Sequence, residues 1–323
     1  MNDTTMRAIS PASWGGPEVL TPVTLARPAP GPTEILVRVH AAGVNPIDWK
    51  TRATGGFGMH SDPPVLGYDV SGVVEAVGPG VTLYRPGDEV FGMPEFPRQA
   101  GGYAEYVTGP ARHFVPKPGS LSHVEAAALP LAGLTAWQSL VETAGLTDGT
   151  RLLIHAAAGG VGHLAVQIAA AHGAHVVGTA REDKHSLLKE LGADELIDYT
   201  RQDFVEALAG REVDVVLDSI GGDYGTRSLK VLRDGGTLLT LPSPDDVPPA
   251  PAADGSGRRG IRTGFTLVEP DSTGMRALAR LAAEGRLRPV VETVLPLERA
   301  ADAHRLGETG RTRGKIVLTV LDD

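Results

Sequence analysis

The sequence predicts an α/β protein in two parts, an antiparallel β-rich region followed by a doubly wound parallel sheet. Three observations predict it. Before residue 123, short β-like runs alternate with turn signals; after it, apolar strands alternate with helices; and a glycine-rich turn joins one of those strands directly to a helix. The chain has 323 residues, more than one ordinary hydrophobic core holds, so two domains are expected.

In the first part, strands are expected at 34–41 (EILVRVHA), 70–77 (VSGVVEAV), 88–91 and 102–107, with turn signals at 78–80 and 85–88 between them. In the second, the Ala/Leu-rich stretch 124–144 reads as helix and 151–156 (RLLIHA) as a buried strand. Helices at 162–172, 184–191, 201–209 and 226–232 then alternate with strands at 175–180, 195–198, 213–219 and 237–241. That alternation implies parallel βαβ units with right-handed crossovers, and near-continuous apolar strands suit a sheet buried on both faces. A last strand is expected at 262–268, a helix at 273–284 and a final strand at 315–321. The Pro/Ala/Gly-rich segment 242–260 reads as a loop, either a surface linker or an active-site lid.

Composition narrows the function. Hydrophobic residues make up 41% and charged residues 21%, an ordinary globular balance. The net charge of −9 argues against a nucleic-acid partner, which needs a basic surface. The pairs Arg258/Arg259 and Arg311/Arg313 read as solvated surface. There are no cysteines, which removes disulfides, thiolate zinc sites, Fe–S clusters and cysteine nucleophiles. The N-terminus (MNDTTMRAIS) has no basic segment followed by an apolar run, and no stretch approaches ~18 apolar residues. A soluble cytoplasmic protein with no membrane partner is expected.

The strand at 151–156 runs into Ala157-Ala158-Gly159-Gly160-Val161-Gly162. This is A-x-G-x-x-G in a strand–turn–helix setting. Gly159 lets the backbone approach a pyrophosphate, and Gly162 lets helix and strand pack closely. The free N–H groups of the helix N-terminus attract the phosphates. Ala157 replaces the first glycine of the strict pattern. The next strand ends Gly178-Thr179-Ala180-Arg181, with Lys184 soon after. An NAD site places a carboxylate there to hold the ribose 2′-hydroxyl; Arg181 and Lys184 instead suit the 2′-phosphate of NADPH. Glu182 and Asp183 oppose that reading unless they serve the N-terminus of the next helix.

These pieces, in this order, resemble the medium-chain dehydrogenase/reductase superfamily, and within it the zinc-independent quinone oxidoreductase (zeta-crystallin-like) branch. The resemblance covers nearly the whole chain. Its motifs are AAGVNPID (41–48), VLGYDVSG (65–72), RPGDEV (85–90), GGYAEY (101–106), GLTAW (133–137), the glycine turn, LGAD (191–194) and RGKIV (313–317). It implies a GroES-like catalytic domain at 1–123, a Rossmann NADPH-binding domain at 124–268 and a C-terminal segment, 269–323, that returns to the first domain. It also implies a homodimer joined through the last Rossmann strand. Relatives with catalytic zinc carry Cys where this chain has Asn45, and a His-Glu pair where it has Tyr68-Asp69; their four-Cys structural loop is missing. Without those ligands the resemblance implies metal-free reduction of a small molecule, a quinone or α,β-unsaturated carbonyl. An enoyl-thioester reductase and a non-catalytic NADPH-binding protein are the alternatives.

The resemblance also directs attention to particular side chains. Asn45 would donate to a substrate carbonyl or position the nicotinamide ribose, or else be a turn residue before Pro46. Lys50 would stabilise an oxyanion, or lie exposed. Tyr68 would hydrogen-bond substrate or donate a proton, or pack beneath the nicotinamide. Asp48 and Asp69 read as structural, and His155 as a packed residue. For NADPH, Ala158, Gly159, Gly160 and Val161 supply the turn. Thr135 would approach the nicotinamide carboxamide or ribose. Thr179, Arg181, Lys184 and Tyr199 would surround the 2′-phosphate, Leu241 and Phe265 would line the nicotinamide, and Lys315 is a further candidate contact.

Overall fold

Strands β1 (Thr5–Pro11) and β2 (Leu20–Ala26) pair antiparallel as a two-stranded sheet in the computed structural model, which describes residues 4–250 and 260–321. There follow β3 (Glu34–Val44), helix α1 (Pro46–Thr54), β4 (Asp69–Val77), β5 (Glu89–Gly92), β6 (Tyr106–Pro110), β7 (Phe114–Pro116), and helices α2 (His123–Ala127) and α3 (Pro130–Trp137). Next come β8 (Arg151–Ile154), α4 (Gly162–Ala171), β9 (His175–Thr179), α5 (His185–Glu190), β10 (Glu195–Ile197), α6 (Phe204–Ala207), β11 (Val213–Asp218), α7 (Asp223–Ser228), β12 (Leu232–Thr240) and β13 (Arg262–Phe265). The chain ends with α8 (Ser272–Ala283), β14 (Val291–Pro296), α9 (Ala300–Glu308) and β15 (Lys315–Thr319). Contacts divide it into two units, Met1–Leu134 with Glu269–Asp323, and Thr135–Val268.

The first unit is built on a seven-stranded sheet in the order β14-β15-β3-β4-β5-β7, with β6 also on β3. Strand β3 is its hub. It pairs antiparallel with β4 along its length, with β6 through Glu34–Arg38, and with the C-terminal β15 through Ala41–Val44. Its residues Ile35, Val37 and Val39 are fully buried, as alternate positions facing a core should be. Pairing of β14 with β15 is parallel and needs a crossover, which α9 supplies. At Gly43 a β-carbon would strike the Ala127 carbonyl and come within 2.9 Å of Asp69 Cβ; glycine here lets α2 lie against the strand. This packing puts the division between units at Leu134/Thr135, later than the change of composition at 123 suggests.

The second unit is a six-stranded, all-parallel sheet in the order β10-β9-β8-β11-β12-β13. Counted from β8 this is 3-2-1-4-5-6, the Rossmann order, whose direction reverses between β8 and β11. The central strands β9, β8 and β11 are mostly buried, with Leu152, Leu153 and Ile154 of β8 at 0% exposure, while the edge strands β10 and β13 are largely half-buried.

Several element boundaries differ from expectation. The helix expected over 124–144 is broken. α2 stops at its Ala128 cap, α3 starts at Pro130, and residues 138–143 form a π-helical turn. Proline has no N–H to continue a helix and restricts the residue before it. The segment 102–107 becomes regular only at Tyr106; before that, Ala104 makes a single bridge to Ala8. Helix α7 begins at Asp223, behind the left-handed pair Gly221-Gly222, and Leu232 already belongs to β12 rather than to a helix over 226–232. Helix α6 is shorter than 201–209 because Asp203 caps it, accepting from Val205 N and Glu206 N. The hairpin β1/β2, α1, β14 and α9 add to the elements expected from sequence. In the loop 242–260, the described part makes a short 3-10 turn at Pro244–Asp246; residues 251–259, with Arg258 and Arg259, lie outside the described residues.

His155 ends the β8 run and is fully buried. Its Nε2 is 2.9 Å from Ser228 Oγ and its Nδ1 3.3 Å from Thr179 Oγ1. Burial, with the nearby Arg227 charge, lowers its pKa from 6.5 to about 3. The folded state therefore keeps the ring neutral where the unfolded chain would protonate it. The stability this contributes is whole above pH 6.5 and is lost as pH falls toward 3. Urea unfolding of wild type and His155→Asn should show the wild-type advantage shrinking below pH 6.5 by up to about 1.4 kcal/mol per pH unit. A difference that does not change with pH would contradict a neutral, buried ring.

Candidate active site

The glycine turn lies at the carboxyl end of β8, beside the point where strand order reverses. Its geometry follows from close backbone approach. Ala157 N donates to Thr179 O at 3.0 Å and Gly159 N to Ala156 O at 2.8 Å. Ala156 sits at φ +48°, a conformation non-glycine residues adopt at a cost; its N–H is held by Thr179 Oγ1 at 3.2 Å. A β-carbon on Gly162 would lie 2.7 Å from Ala157 O, so only glycine lets α4 start this close to the strand. The first amides of α4 thereby stand at the carboxyl edge of the sheet, where a pyrophosphate is held in this fold. Ala158 is buried, while Gly159, Gly160 and Val161 are partly open. Leu241 follows β12, and Phe265 ends β13 in register with Thr240. Both are half-buried at that same edge. Thr135, in α3, is buried.

At the ends of β9 and β10 the structure brings two expected phosphate contacts together. Arg181 Nε donates to Tyr199 Oη at 3.0 Å, and both side chains are exposed. Lys184 ends the short 3-10 turn Glu182–Lys184 that follows Arg181. Two expected contacts are corrected. Thr179 is fully buried, and its hydroxyl is spent on Ala156 N and His155, so it shapes the turn rather than meeting a phosphate. Lys315 lies in the first unit at 3% exposure. Its ammonium donates to Val44 O at 3.0 Å and to Asn45 Oδ1, so it is an internal counter-ion and not a cofactor contact.

Around Lys315 the first unit has a buried polar cluster. Asn45 Nδ2 donates to Asp69 Oδ2 at 2.8 Å, Lys315 Nζ lies 3.6 Å from that same oxygen, and Leu131 N donates to Asp69 Oδ1 at 2.7 Å. Asp48 accepts from Asn45 N at 2.7 Å and from Gly67 N at 3.2 Å. Asn45 and Asp48 form the capping box of α1, with Pro46 inside its first turn. Burial pushes Asp69 up and Lys315 down, and the strongest force opposing each shift is the other's charge. Burial likewise raises Asp48 to about 7. Asn45, 1% exposed, is thus held by three elements at once.

Tyr68 immediately precedes Asp69 and faces a different environment. With Phe57, Met59, Leu66 and Thr51 it lines a cavity. Its ring meets Phe96 edge-on at 5.2 Å, and Phe96 meets Phe57 edge-on at 6.0 Å. Burial, reinforced by the Asp48 charge, raises the phenol to about 12, so it stays protonated and able to donate. Lys50 is exposed on α1. Phe57 and Phe96 stand in the Gly/Pro-rich segments 51–64 and 93–101, which sequence places at the cleft without a pattern that singles out either ring.

A GroES-like alcohol dehydrogenase domain matches residues 31–119, and a zinc-binding dehydrogenase domain matches residues 191–318. The mouse protein NAD(P)H oxidoreductase RTN4IP1, mitochondrial, is 36% identical over 90% of this chain and 82% of its own length. The chain belongs to the medium-chain dehydrogenase/reductase superfamily. Its relatives there include quinone oxidoreductases. The structure of the quinone oxidoreductase from Coxiella burnetii superposes with a TM-score of 0.88 at 37% identity, covering 98% of this chain and 100% of that one. Escherichia coli quinone oxidoreductase complexed with NADPH gives 0.85 at 31%, covering 97% and 100%. The sequence resemblance implies zinc ligands in other members at the positions of Asn45 and Tyr68-Asp69. Here the buried cation beside those positions is Lys315. Among the described residues no group of three His, Asp or Glu side chains is placed to hold a metal, and no helix is long and apolar enough to cross a membrane.

Removing one partner of a buried ion pair leaves the other uncompensated. Lys315→Met should lower unfolding free energy by about 3–5 kcal/mol in denaturant titration. Adding Asp69→Asn should recover much of the loss. A single-variant loss below about 1 kcal/mol would mean the pair is not held as described.

Proposed function

We propose that this oxidoreductase uses NADPH to reduce a quinone or an α,β-unsaturated carbonyl, without a metal. The observation that carries the reading is the pairing of a closed Asn45–Asp69–Lys315 cluster with a small, mostly apolar cavity that the buried Tyr68 lines beside Phe57, Met59 and Leu66, with Thr51, His60 and Gln99 as its other polar side chains. A simple ketone needs strong polarisation of its carbonyl. A conjugated acceptor needs less: hydride adds at the β-carbon, the π electrons shift onto oxygen, and a proton later completes the product. A protonated phenol suits that step, since its O–H donates to the oxygen as charge develops. The apolar walls from Phe57, Met59, Val65 and Leu66 suit an uncharged acceptor.

NADPH supplies the hydride when bound. The turn at Ala158–Val161 and the start of α4 receive its pyrophosphate, and Arg181, Lys184 and Tyr199 its 2′-phosphate. Leu241 and Phe265 line the nicotinamide side, and Thr135 addresses its carboxamide or ribose. Asn45 serves by position, one amide hydrogen being committed to Asp69. Lys50, exposed on α1, is left as a subsidiary contact for the acceptor. As the edge strand of its sheet, β13 offers a pairing edge to a second copy of the chain.

NADPH oxidation against quinones, enones, alkenals and enoyl thioesters tests the reaction class. Quinones or enones should turn over, and Tyr68→Phe should lower kcat by about 100-fold with a much smaller change in KM. Faster turnover of enoyl thioesters would move the protein to that class, and no turnover of any acceptor would favour a non-catalytic NADPH-binding protein. For the cofactor, Arg181→Glu should raise the NADPH KM at least about tenfold and improve use of NADH. An unchanged preference would remove Arg181 from the phosphate site.

A further inference from the structure

Glu182 stands almost where an NADH-selecting carboxylate belongs. Such a group, at the end of the second Rossmann strand, accepts from the ribose 2′-hydroxyl and repels a 2′-phosphate. The structure shows where its charge is directed. Glu182 Oε2 lies 2.9 Å from Arg201 Nη2. Arg201 Nε is also 3.7 Å from Asp198 Oδ2. Asp198 accepts from Thr200 N at 2.9 Å and Thr200 Oγ1 at 2.7 Å, which braces the loop carrying Tyr199. Tyr199 in turn receives the hydrogen bond from Arg181. Arg201 therefore stands between two carboxylates that flank the Arg181–Tyr199 pair.

The side chains of Arg201 and Glu182 are 72% and 63% exposed, so their contact adds little to folding stability. Its effect is on local charge. Arg181 and Lys184 face Glu182, Asp183 and Asp198, a surplus of acid that would oppose a 2′-phosphate. Arg201 brings the group to balance and engages the acid best placed to select NADH.

We propose that Arg201 sets cofactor choice as a positioning residue. By pairing with Glu182 it withdraws the NADH-selecting carboxylate and leaves Arg181 and Tyr199 to a 2′-phosphate. The proposal rests on the NADPH reading above. It is tested in the full-length protein by steady-state kinetics with each cofactor, and by direct titration of NADPH and NADH, in wild type, R201Q, E182Q and R201Q/E182Q. R201Q should raise the NADPH KM about fivefold with kcat unchanged and leave NADH at least as good a substrate. The double variant should return the NADPH/NADH ratio to the wild-type value, because the freed carboxylate is gone. An equal loss with both cofactors, no change in R201Q, or no recovery in the double variant would overturn the proposal. Wild-type preference for NADPH, together with any of those outcomes, would leave the NADPH reading standing. Wild-type preference for NADH would overturn both.

Discussion

The first unit depends on an ion pair that water does not reach. Lys315 comes from the C-terminal strand, Asp69 from the start of β4 and Asn45 from the cap of α1, and Asp69 also receives the first free amide of α3. Segments far apart in sequence are tied at one point, and each would leave a buried polar group unsatisfied if it moved. Burying charge is costly unless the partners are complete, so the cluster tolerates little rearrangement. It holds Asn45 still, and Asp69 follows directly on Tyr68 at the start of β4. A rigid charged interior and a cavity-lining phenol are thus consecutive residues of one chain.

The second unit meets a different constraint, the approach of backbone to backbone. The Rossmann strand order places the β8 turn where the sheet reverses, and Gly162 lets α4 begin against it. Thr179 keeps Ala156 in its left-handed conformation from the neighbouring strand. A residue expected to meet the cofactor therefore acts one step behind it. At the ends of β9 and β10, exposed side chains pair with one another instead, Arg181 with Tyr199 and Arg201 with Glu182.

Much of this was legible in the sequence. The parallel sheet was read from the alternation of apolar strands and helices, and the cofactor turn from a glycine pattern in the right setting. Boundaries were missed where a local signal was subtle. Pro130 broke a stretch whose composition favoured helix, and Gly221-Gly222 started α7 early. The Asn-Pro-Ile-Asp sequence that caps α1 carries a readable signal, an N-cap, a first-turn proline and an acid three residues on. The resemblance made Lys315 a candidate cofactor contact, but a short strand's sequence does not say which way a side chain points; β15 pairs with β3, and Lys315 is buried against Asn45 and Asp69.

By itself the sequence determined the fold class and the lack of cysteine ligands, because these depend on periodicity and residue type within short windows; its ordered motifs carried the resemblance to the superfamily and marked the glycine turn. Only the tertiary structure decided which charges neutralise one another. It sent Lys315 to Asp69, Thr179 into the β8 turn, Tyr199 to Arg181 and Arg201 to Glu182. Electrostatic energy depends on distance and burial between residues that the chain brings together only when it folds.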